Sequence, residues 1–442
     1  MRSPESGLVR AIGLFGLTAA IVNVTVGGGI YRLPAAAAQG LGAAAPLAYL
    51  ACAVALVFIV ICFAEAGSRV SLTGGIYAYV EVAFGPLVGL VTGVLLWAGL
   101  SATFAAVVSF LGDSFAALVN LQGAVGRAAV VILVLGAMAA LNYRGVRLAD
   151  RFNAIATAIK VAPLLILLVG GWAAVDVSNL SMGEMPPLSQ VAQTSAILIF
   201  AFLGVETALV PSGEVRDPER TVPRAVILAI VAVAVLYLGL HLVAQGVLGA
   251  SLAQQKTPLA EAAGVALGGW ARRTVLGASV LSMLIYTSGM MLGVPRLLFA
   301  FARDGFAPSA LAAVHPAFHT PHVAIVVQAA LVAALAISGT FERLALLGNA
   351  AVLLSYVACC AAAWQLRRRN VRMTDTRYDV PGGGIAPPIA LVLIGWLLSG
   401  MTASEWAASA VVVAIAALVY AARRRPSGSP ASSRKVKETG GH

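Results

Sequence analysis

Three consecutive glycines, Gly27 to Gly29, and then Pro34 stand inside the first long apolar stretch of the chain. Each glycine weakens a helix by about 1 kcal/mol relative to alanine, so the run favours unwound backbone there. Unwound backbone is tolerated at membrane depth only where protein or a watery cavity surrounds it. Free N–H groups at the start of the second half-helix would then bind an anion such as a carboxylate. Close helix packing is the alternative interpretation of these glycines.

A second apolar stretch, SAILIFAFLGVETALVP, is interrupted by Gly204, Glu206 and Thr207. A break there would free carbonyl groups that could accept hydrogen bonds from an ammonium group. The carbonyls expected to be freed are those around Phe200, Ala201 and Leu203. One break would bind a carboxylate and the other an ammonium group. An α-amino acid carries both groups.

Two ionisable residues lie deep in apolar stretches, where a central charge costs about 3 kcal/mol or more. Glu206 is interpreted either as a coupling, gating or cation-binding carboxylate, or as a structural cap on neighbouring backbone. Lys160 could snorkel to the interface or act inside the protein. His241 and Gln245, one turn apart, could form a polar relay or be satisfied packing residues.

These residues must be positioned by membrane-spanning helices. The chain has 442 residues, of which 60% are hydrophobic and 11% charged, against about 25% charged in soluble domains. Twelve apolar runs are each long enough to cross a hydrocarbon core. They are predicted at 12–37, 43–65, 84–111, 128–142, 153–172, 193–211, 225–248, 274–300, 323–338, 344–365, 386–401 and 406–422.

The net charge of +11 comes from basic residues spread over several loops rather than gathered on one surface. This distribution argues against nucleic acid as a partner. Basic residues concentrate in alternate loops, so the positive-inside rule places both termini in the cytoplasm. The basic loops hold Arg144, Arg147, Arg151, Arg216, Arg220, Arg224 and Arg367 to Arg369, followed by the tail. Residues 425–442 are predicted to form a disordered cytoplasmic tail that can touch anionic lipid.

Signatures of enzymes are missing from the sequence. It contains no G-x-S-x-G, no H-E-x-x-H and no Walker lysine motif. The four cysteines lie in apolar runs without the spacing of metal ligands. We therefore expect no enzyme activity, no catalytic residues, no cofactor and no bound metal.

Four motifs resemble those of the amino acid-polyamine-organocation superfamily of secondary transporters. GGGIYRLP is similar to the first-helix motif, although many members have serine where Gly28 stands. SLTGGIYAYVEVAFGP resembles the signature after the second span, with Ser71 in place of the usual proline. FAFLGVETALVPSGEVRDPERTVPRAV and PRLLFAFARDGFAP resemble the sixth helix with its loop and the end of the eighth helix. The motifs cover about residues 10 to 370.

The resemblance implies an all-α integral membrane protein of the LeuT-like fold, forming one transporter domain. Two inverted five-helix repeats would occupy about 10–172 and 193–366, with helices 1 and 6 discontinuous and peripheral helices at about 386–422. Substrate would be bound by Thr25, Gly27, Gly28, Gly29, Phe200, Ala201, Leu203, Gly204 and Met290. Phe200 would also serve as a gate, with Glu206 and Lys160 acting in gating or coupling. By analogy, the Lys160 ammonium replaces a sodium ion beside the first break.

The function expected from these features is amino acid transport across the bacterial inner membrane by alternating access. The substrate is expected to be a small neutral amino acid, moved by exchange or with a coupled proton. A cationic amino acid or polyamine antiporter is the alternative, favoured by Glu206. A channel or a transceptor is a more distant alternative. The sequence leaves the oligomeric state open.

Overall fold

The structure, a computed structural model, describes residues 13–70, 75–118, 123–144, 150–204, 218–373 and 380–423. Within these ranges the chain forms fifteen α-helices, joined by short 3-10 turns, and no strand. The helices are α1 Leu14–Thr25, α2 Gly29–Leu41, α3 Pro46–Arg69, α4 Ile76–Phe84, α5 Pro86–Leu118, α6 Ala124–Arg144, α7 Asp150–Gly170, α8 Leu188–Leu198, α9 Pro218–Leu248, α10 Pro258–Leu267, α11 Gly269–Arg303, α12 His322–Ser338, α13 Phe341–Arg368, α14 Ala386–Ser399 and α15 Ala403–Arg423.

Each predicted span coincides with helix in the described ranges. Among the described residues, seven helices are long and apolar enough to cross a membrane: α3, α5, α6, α9, α11, α13 and α15. The apolar parts of α7, α8, α12 and α14 are shorter. The first span is divided into α1 and α2. The protein is therefore an all-helical membrane protein, while the count of twelve spans and the division into repeats stay predictions.

Two short helices, α4 and α10, were not predicted from the sequence. Each ends at a glycine in the left-handed region and leads directly into a long span. Gly85 has φ 90° and ψ 174° between α4 and α5, and Gly268 has φ 94° and ψ 175° between α10 and α11. Glycine adopts such angles without the clash that a Cβ would cause. The same turn therefore precedes the third and the eighth predicted spans.

The helices differ strongly in how much of their apolar surface the protein covers. In α5, 72% of the apolar membrane-spanning stretch is buried inside the protein, whereas the corresponding shares are only 22% in α6 and 17% in α15. Large apolar side chains on α6 such as Ile132 and Leu133 are exposed. Exposed apolar faces of this kind suit lipid. The centre of the protein thus lies around α5, with α6 and α15 at its periphery.

Segments predicted to lie on the outer side meet at one end of the molecule. The Arg32 guanidinium, on α2, donates to Glu342 on α13 with a distance of 2.8 Å from Nε to Oε1. Arg32 also donates to the carbonyl of Lys256 at 2.9 Å. Arg127 of α6 pairs with Asp113 of α5 at 3.3 Å. These contacts join residues that the sequence predicts on the same side of the membrane, while the topology itself stays a prediction.

The opposite end is held together by the Glu65 carboxylate, which is fully buried. Its Oε1 accepts from Arg69 Nε at 2.7 Å and from Arg367 Nη1 at 3.1 Å. Its Oε2 accepts from the backbone N–H of Val380 at 3.3 Å. A Cβ on Gly383 would clash with Oε2 and with Arg367 Nη1, so glycine lets the chain pass close to this ion pair. This carboxylate thus joins α3, α13 and the segment before α14.

Candidate functional site

The first span is interrupted between α1 and α2. The Val26 N–H donates to the Val22 carbonyl at 2.8 Å, the last bond of α1, and the Gly27 N–H turns back to the Thr25 carbonyl at 2.8 Å. The next three amides, of Gly28, Gly29 and Ile30, have no acceptor among the described residues, although all three residues are buried. Three donors therefore converge at the positive end of α2.

At the predicted second break the described helix ends. Helix α8 ends at Leu198 and continues as a single 3-10 turn, Ile199–Phe202. Leu203 then becomes extended, with φ −71° and ψ 155°, and Gly204 has φ 108°. The helix therefore stops at the predicted glycine. Glu206 and Thr207 lie outside the described residues.

The two breaks are in contact with each other. A Cβ on Gly29 would lie 3.0 Å from Phe200 Cδ1 and 3.2 Å from the Ala201 Cα. The Tyr237 hydroxyl, fully buried on α9, lies 2.9 Å from the Thr25 carbonyl oxygen and 3.1 Å from that of Ala201. Since a hydroxyl has a single hydrogen, it can fully satisfy only one of these carbonyls at a time. Tyr237 thus links the end of α1 to the second break.

Aromatic side chains cover the glycines. The Phe200 ring packs edge-on against Phe341 with centroids 5.3 Å apart, and Phe341 packs against Phe110 at 5.8 Å. Phe200 itself is 7% exposed. Phe200 therefore packs against Gly29 and is itself almost fully covered.

Met283 is the methionine that reaches the first break. A Cβ on Gly28 would lie 2.9 Å from Met283 Cγ and 3.2 Å from Val107 Cγ1. Met290, the methionine predicted at the site, lies seven residues further along α11 and is only partly buried. Seven residues are two helical turns, about 10 Å along one face. Sequence periodicity therefore could not distinguish the two, and a substrate role for Met290 stays a prediction.

Lys160 lies inside the protein beside the first break. Its side chain is 2% exposed, so it does not snorkel to water as one interpretation of the sequence had it. Its backbone carbonyl accepts a hydrogen bond from the Tyr31 hydroxyl at 3.0 Å. Tyr31 belongs to the first turn of α2. Helix α7 is thereby tied to the half-helix that carries the free amides.

Sequence reasoning missed two polar side chains that bond to the broken helices. One is Tyr237. The other is Asn349 on α13, whose Nδ2 donates to the carbonyls of Ala196 at 2.8 Å and Ile197 at 3.3 Å, near the end of α8. An isolated polar residue in an apolar span was the available signal, because such residues need a partner.

The described part of the site carries no acidic side chain. The buried carboxylates of the described residues are Glu65 and Glu405. Glu65 lies at the end of α3 among arginines, and Glu405 caps the start of α15. The described residues also contain no group of three or more metal-ligating side chains. The described part of the site therefore offers a ligand peptide groups, the Tyr237 hydroxyl and apolar side chains, with Lys160 beside the first break.

Interrupted apolar helices whose peptide groups meet in the interior define a class of membrane proteins that bind small solutes within the bilayer. Comparison with known families agrees with this class. The chain belongs to the amino acid permease family, whose model matches residues 12–430. The resemblance found in the sequence is thereby confirmed.

Relatives of known name are similar over nearly the whole chain. The methylthioribose transporter of Bacillus subtilis (strain 168) is 26% identical, covering 95% of this chain and 94% of its own. The branched-chain amino acid permease of the same organism is also 26% identical, covering 90% and 89%. Its serine/threonine exchanger is 25% identical, covering 88% and 91%. Members of the family are transporters, which are not enzymes, and the protein is accordingly a multi-pass permease.

Proposed function

We propose that the protein carries small neutral amino acids across the bacterial inner membrane by alternating access, through exchange or with a coupled proton. The observation that carries the proposal is the contact between the two helix breaks. The amides of Gly28 and Gly29 have no acceptor among the described residues, and Gly29 packs directly against Phe200 and Ala201. Free donors at the positive end of α2 suit a carboxylate.

The ammonium group of the substrate is assigned to the carbonyls of Thr25 and Ala201. Both lie within hydrogen-bonding distance of the Tyr237 hydroxyl, which can donate to only one of them at a time, so a substrate ammonium would supply the missing donors. A zwitterion fits because its two ends match the two breaks, whereas a polyamine would leave the free amides without an acceptor. Leu203 and Gly204 border the same turn and belong to the proposed substrate site.

The LeuT-like arrangement of two inverted repeats is part of the proposal. The paired short helices support it, because α4 and α10 precede the third and eighth spans with nearly identical glycine turns. Five spans separate the two, and an odd number of crossings inverts the second relative to the first. On the predicted topology α4 then lies on the cytoplasmic side and α10 on the outer side, with both termini cytoplasmic.

The gating roles follow from this geometry. Phe200 serves as the outer lid over Gly29, and Lys160 supports α2 from α7. Glu206 is proposed as a gating or coupling carboxylate on the segment after the second break. The absence of an acid from the described part of the site favours a neutral substrate, as do the names of the branched-chain permease and the serine/threonine exchanger.

The test is counterflow in proteoliposomes that contain the purified protein. Vesicles loaded with one unlabelled compound are given traces of labelled amino acids, arginine, putrescine or methylthioribose. We expect neutral amino acids inside to accelerate uptake of the same labelled compound. Stimulation by arginine or putrescine alone would favour the cationic antiporter, and by methylthioribose alone a different substrate class. Uptake without any trans-stimulation would indicate a channel and would contradict the proposal.

A further inference from the structure

Four buried side chains next to the substrate site have polar atoms without a hydrogen-bond partner in the described part of the chain. We call Tyr49, Ser195, His241 and Gln245 the His241 cluster. The atoms are Tyr49 Oη, Ser195 Oγ, both ring nitrogens of His241 and Gln245 Oε1. His241 is 0% and Tyr49 1% exposed, with their ring centroids 5.2 Å apart. Such atoms rarely stay unpaired in a native protein unless a ligand or a function accounts for them.

The cluster lies where α3, α8 and α9 meet. Tyr49 belongs to α3, Ser195 to α8 and His241 to α9. The Cys52 thiol, one turn after Tyr49, donates to the Ser195 carbonyl at 3.4 Å and so joins α3 to α8. Because α8 leads into the second break, the cluster is attached to the element that is proposed to move with substrate.

A line of tyrosines connects the cluster to the substrate site. His241 is four residues from Tyr237 and therefore on the same face of α9. The Tyr237 hydroxyl contacts the carbonyls of both breaks, and Tyr49 and Tyr31 lie near it. Water that enters an opened substrate site is thus about one helical turn from the imidazole.

The surroundings of His241 contain titratable groups but no charge. Tyr49 faces it from α3, with Cys52 beyond; Tyr237 lies on its own helix, and Tyr31 approaches Tyr237 from α2. All four are neutral at pH 7. Neither ring nitrogen of His241 has a hydrogen-bond or ion-pair partner among the described residues. An imidazolium here therefore lacks a counter-ion until an anion arrives nearby.

We propose that His241 is the proton-binding site of the transport cycle, an inference that rests on the proposed function. With the outer side open, a proton from the external water binds a free ring nitrogen while the substrate carboxylate occupies the amides of Gly28 and Gly29. The two opposite charges stabilise each other across the site, and by linkage each raises the affinity for the other. When substrate leaves to the cytoplasm, the imidazolium loses its counter-ion and returns the proton to the internal water.

The experiment compares two assays on His241→Gln, His241→Phe and the unaltered protein in proteoliposomes. The first is counterflow at equal pH, and the second is accumulation from an acidic outside with no substrate inside. A gradient of two pH units can drive about 100-fold accumulation with one proton per substrate. We expect accumulation in the unaltered protein, and only equal inside and outside concentrations in both variants, with counterflow retained. His319→Asn, at an exposed loop histidine with φ 53°, is the matched control and should accumulate normally.

Each result separates this inference from the proposed function. Accumulation by either His241 variant at the level of the unaltered protein overturns the inference. Counterflow without any pH-driven accumulation in the unaltered protein also overturns it, and leaves the proposed function standing. Loss of counterflow in both variants assigns His241 a structural role instead. If the unaltered protein shows no counterflow for any amino acid, the proposed function itself fails.

Discussion

Glycines at the two breaks are needed for different reasons. Gly28 has ordinary helical angles, φ −68° and ψ −25°, so only its neighbours demand glycine there. Gly29 is limited by the backbone of Ala201 as well as by the Phe200 ring. Gly204, at φ 108°, is in a region that other residues rarely adopt. Glycine is therefore required at the first break because neighbouring atoms approach it closely, and at the second because of its backbone conformation.

Gly29→Ala is expected to reduce transport strongly. Its Cβ would lie 3.2 Å from the Ala201 Cα, which cannot move without shifting the second break. Overpacking of this kind costs about 1–3 kcal/mol, or roughly 5- to 150-fold in an equilibrium that closes the site. Initial uptake rates measure the effect. Gly277→Ala in α11 meets nothing within 4 Å, so it should transport normally, and equal activity of the two variants would contradict the assignment.

Lys160→Ala is expected to weaken both counterflow and the pH response. The Tyr31 hydroxyl bonds to the Lys160 backbone carbonyl, which alanine keeps, so the substitution removes only the buried ammonium group beside the first break and its packing. This differs from His241→Gln, which should affect only the pH-driven assay. Uptake rates between pH 5.5 and 8 measure the effect. A pH profile identical to that of the unaltered protein would exclude Lys160 from coupling.

At the scale of helices, the sequence was informative about where apolar runs begin and end and where the chain breaks. The three glycines predicted the division between α1 and α2, and Gly204 predicted where the described helix after α8 ends, because backbone freedom is a local property. It could not predict which side chains reach the breaks. Tyr237 and Asn349 come from helices far away in sequence. Met283 lies on the same face of α11 as Met290, so helical periodicity does not distinguish them. The helices α4 and α10 escaped notice because they are too short to show a clear apolar period.

The pair formed by Arg32 and Glu342 should contribute modestly to the contact between α2 and α13. Their side chains are 22% and 34% exposed, so solvent screening keeps the coupling at about 0.2–1 kcal/mol. A double-mutant cycle with Arg32→Gln and Glu342→Gln, followed by thermal unfolding in detergent, measures it. The coupling should shrink in 1 M salt. The more exposed pair Arg303 and Asp304 is the control and should show almost none.

Glu65→Gln should destabilise the protein far more than Glu342→Gln. Glutamine keeps an acceptor oxygen but removes the negative charge that the buried Arg69, 2% exposed, and Arg367 share. Breaking a buried ion pair in this way costs about 3–5 kcal/mol. Thermal unfolding of the two variants under identical conditions tests the difference. Equal melting temperatures would show that the ion pair adds little to the junction of α3, α13 and α14.

For the whole molecule, orientation in the membrane can be tested with thiol labelling. The four native cysteines are free and buried, so they should give little background. Ser178 and Ala317 are both exposed and are predicted on opposite sides of the membrane. Ser178→Cys should react with an impermeant maleimide in intact cells, and Ala317→Cys only after permeabilisation. The reverse pattern would invert the predicted topology.

The free amides of Gly28, Gly29 and Ile30 also have a thermodynamic consequence. An empty protein that keeps three buried donors unpaired gives up stability that a fitting anion restores. The correct substrate should therefore protect the purified protein against heat, by about 2.7 kcal/mol at a hundred times its dissociation constant. Melting curves recorded with a panel of solutes can thus identify the cargo before any vesicle is made.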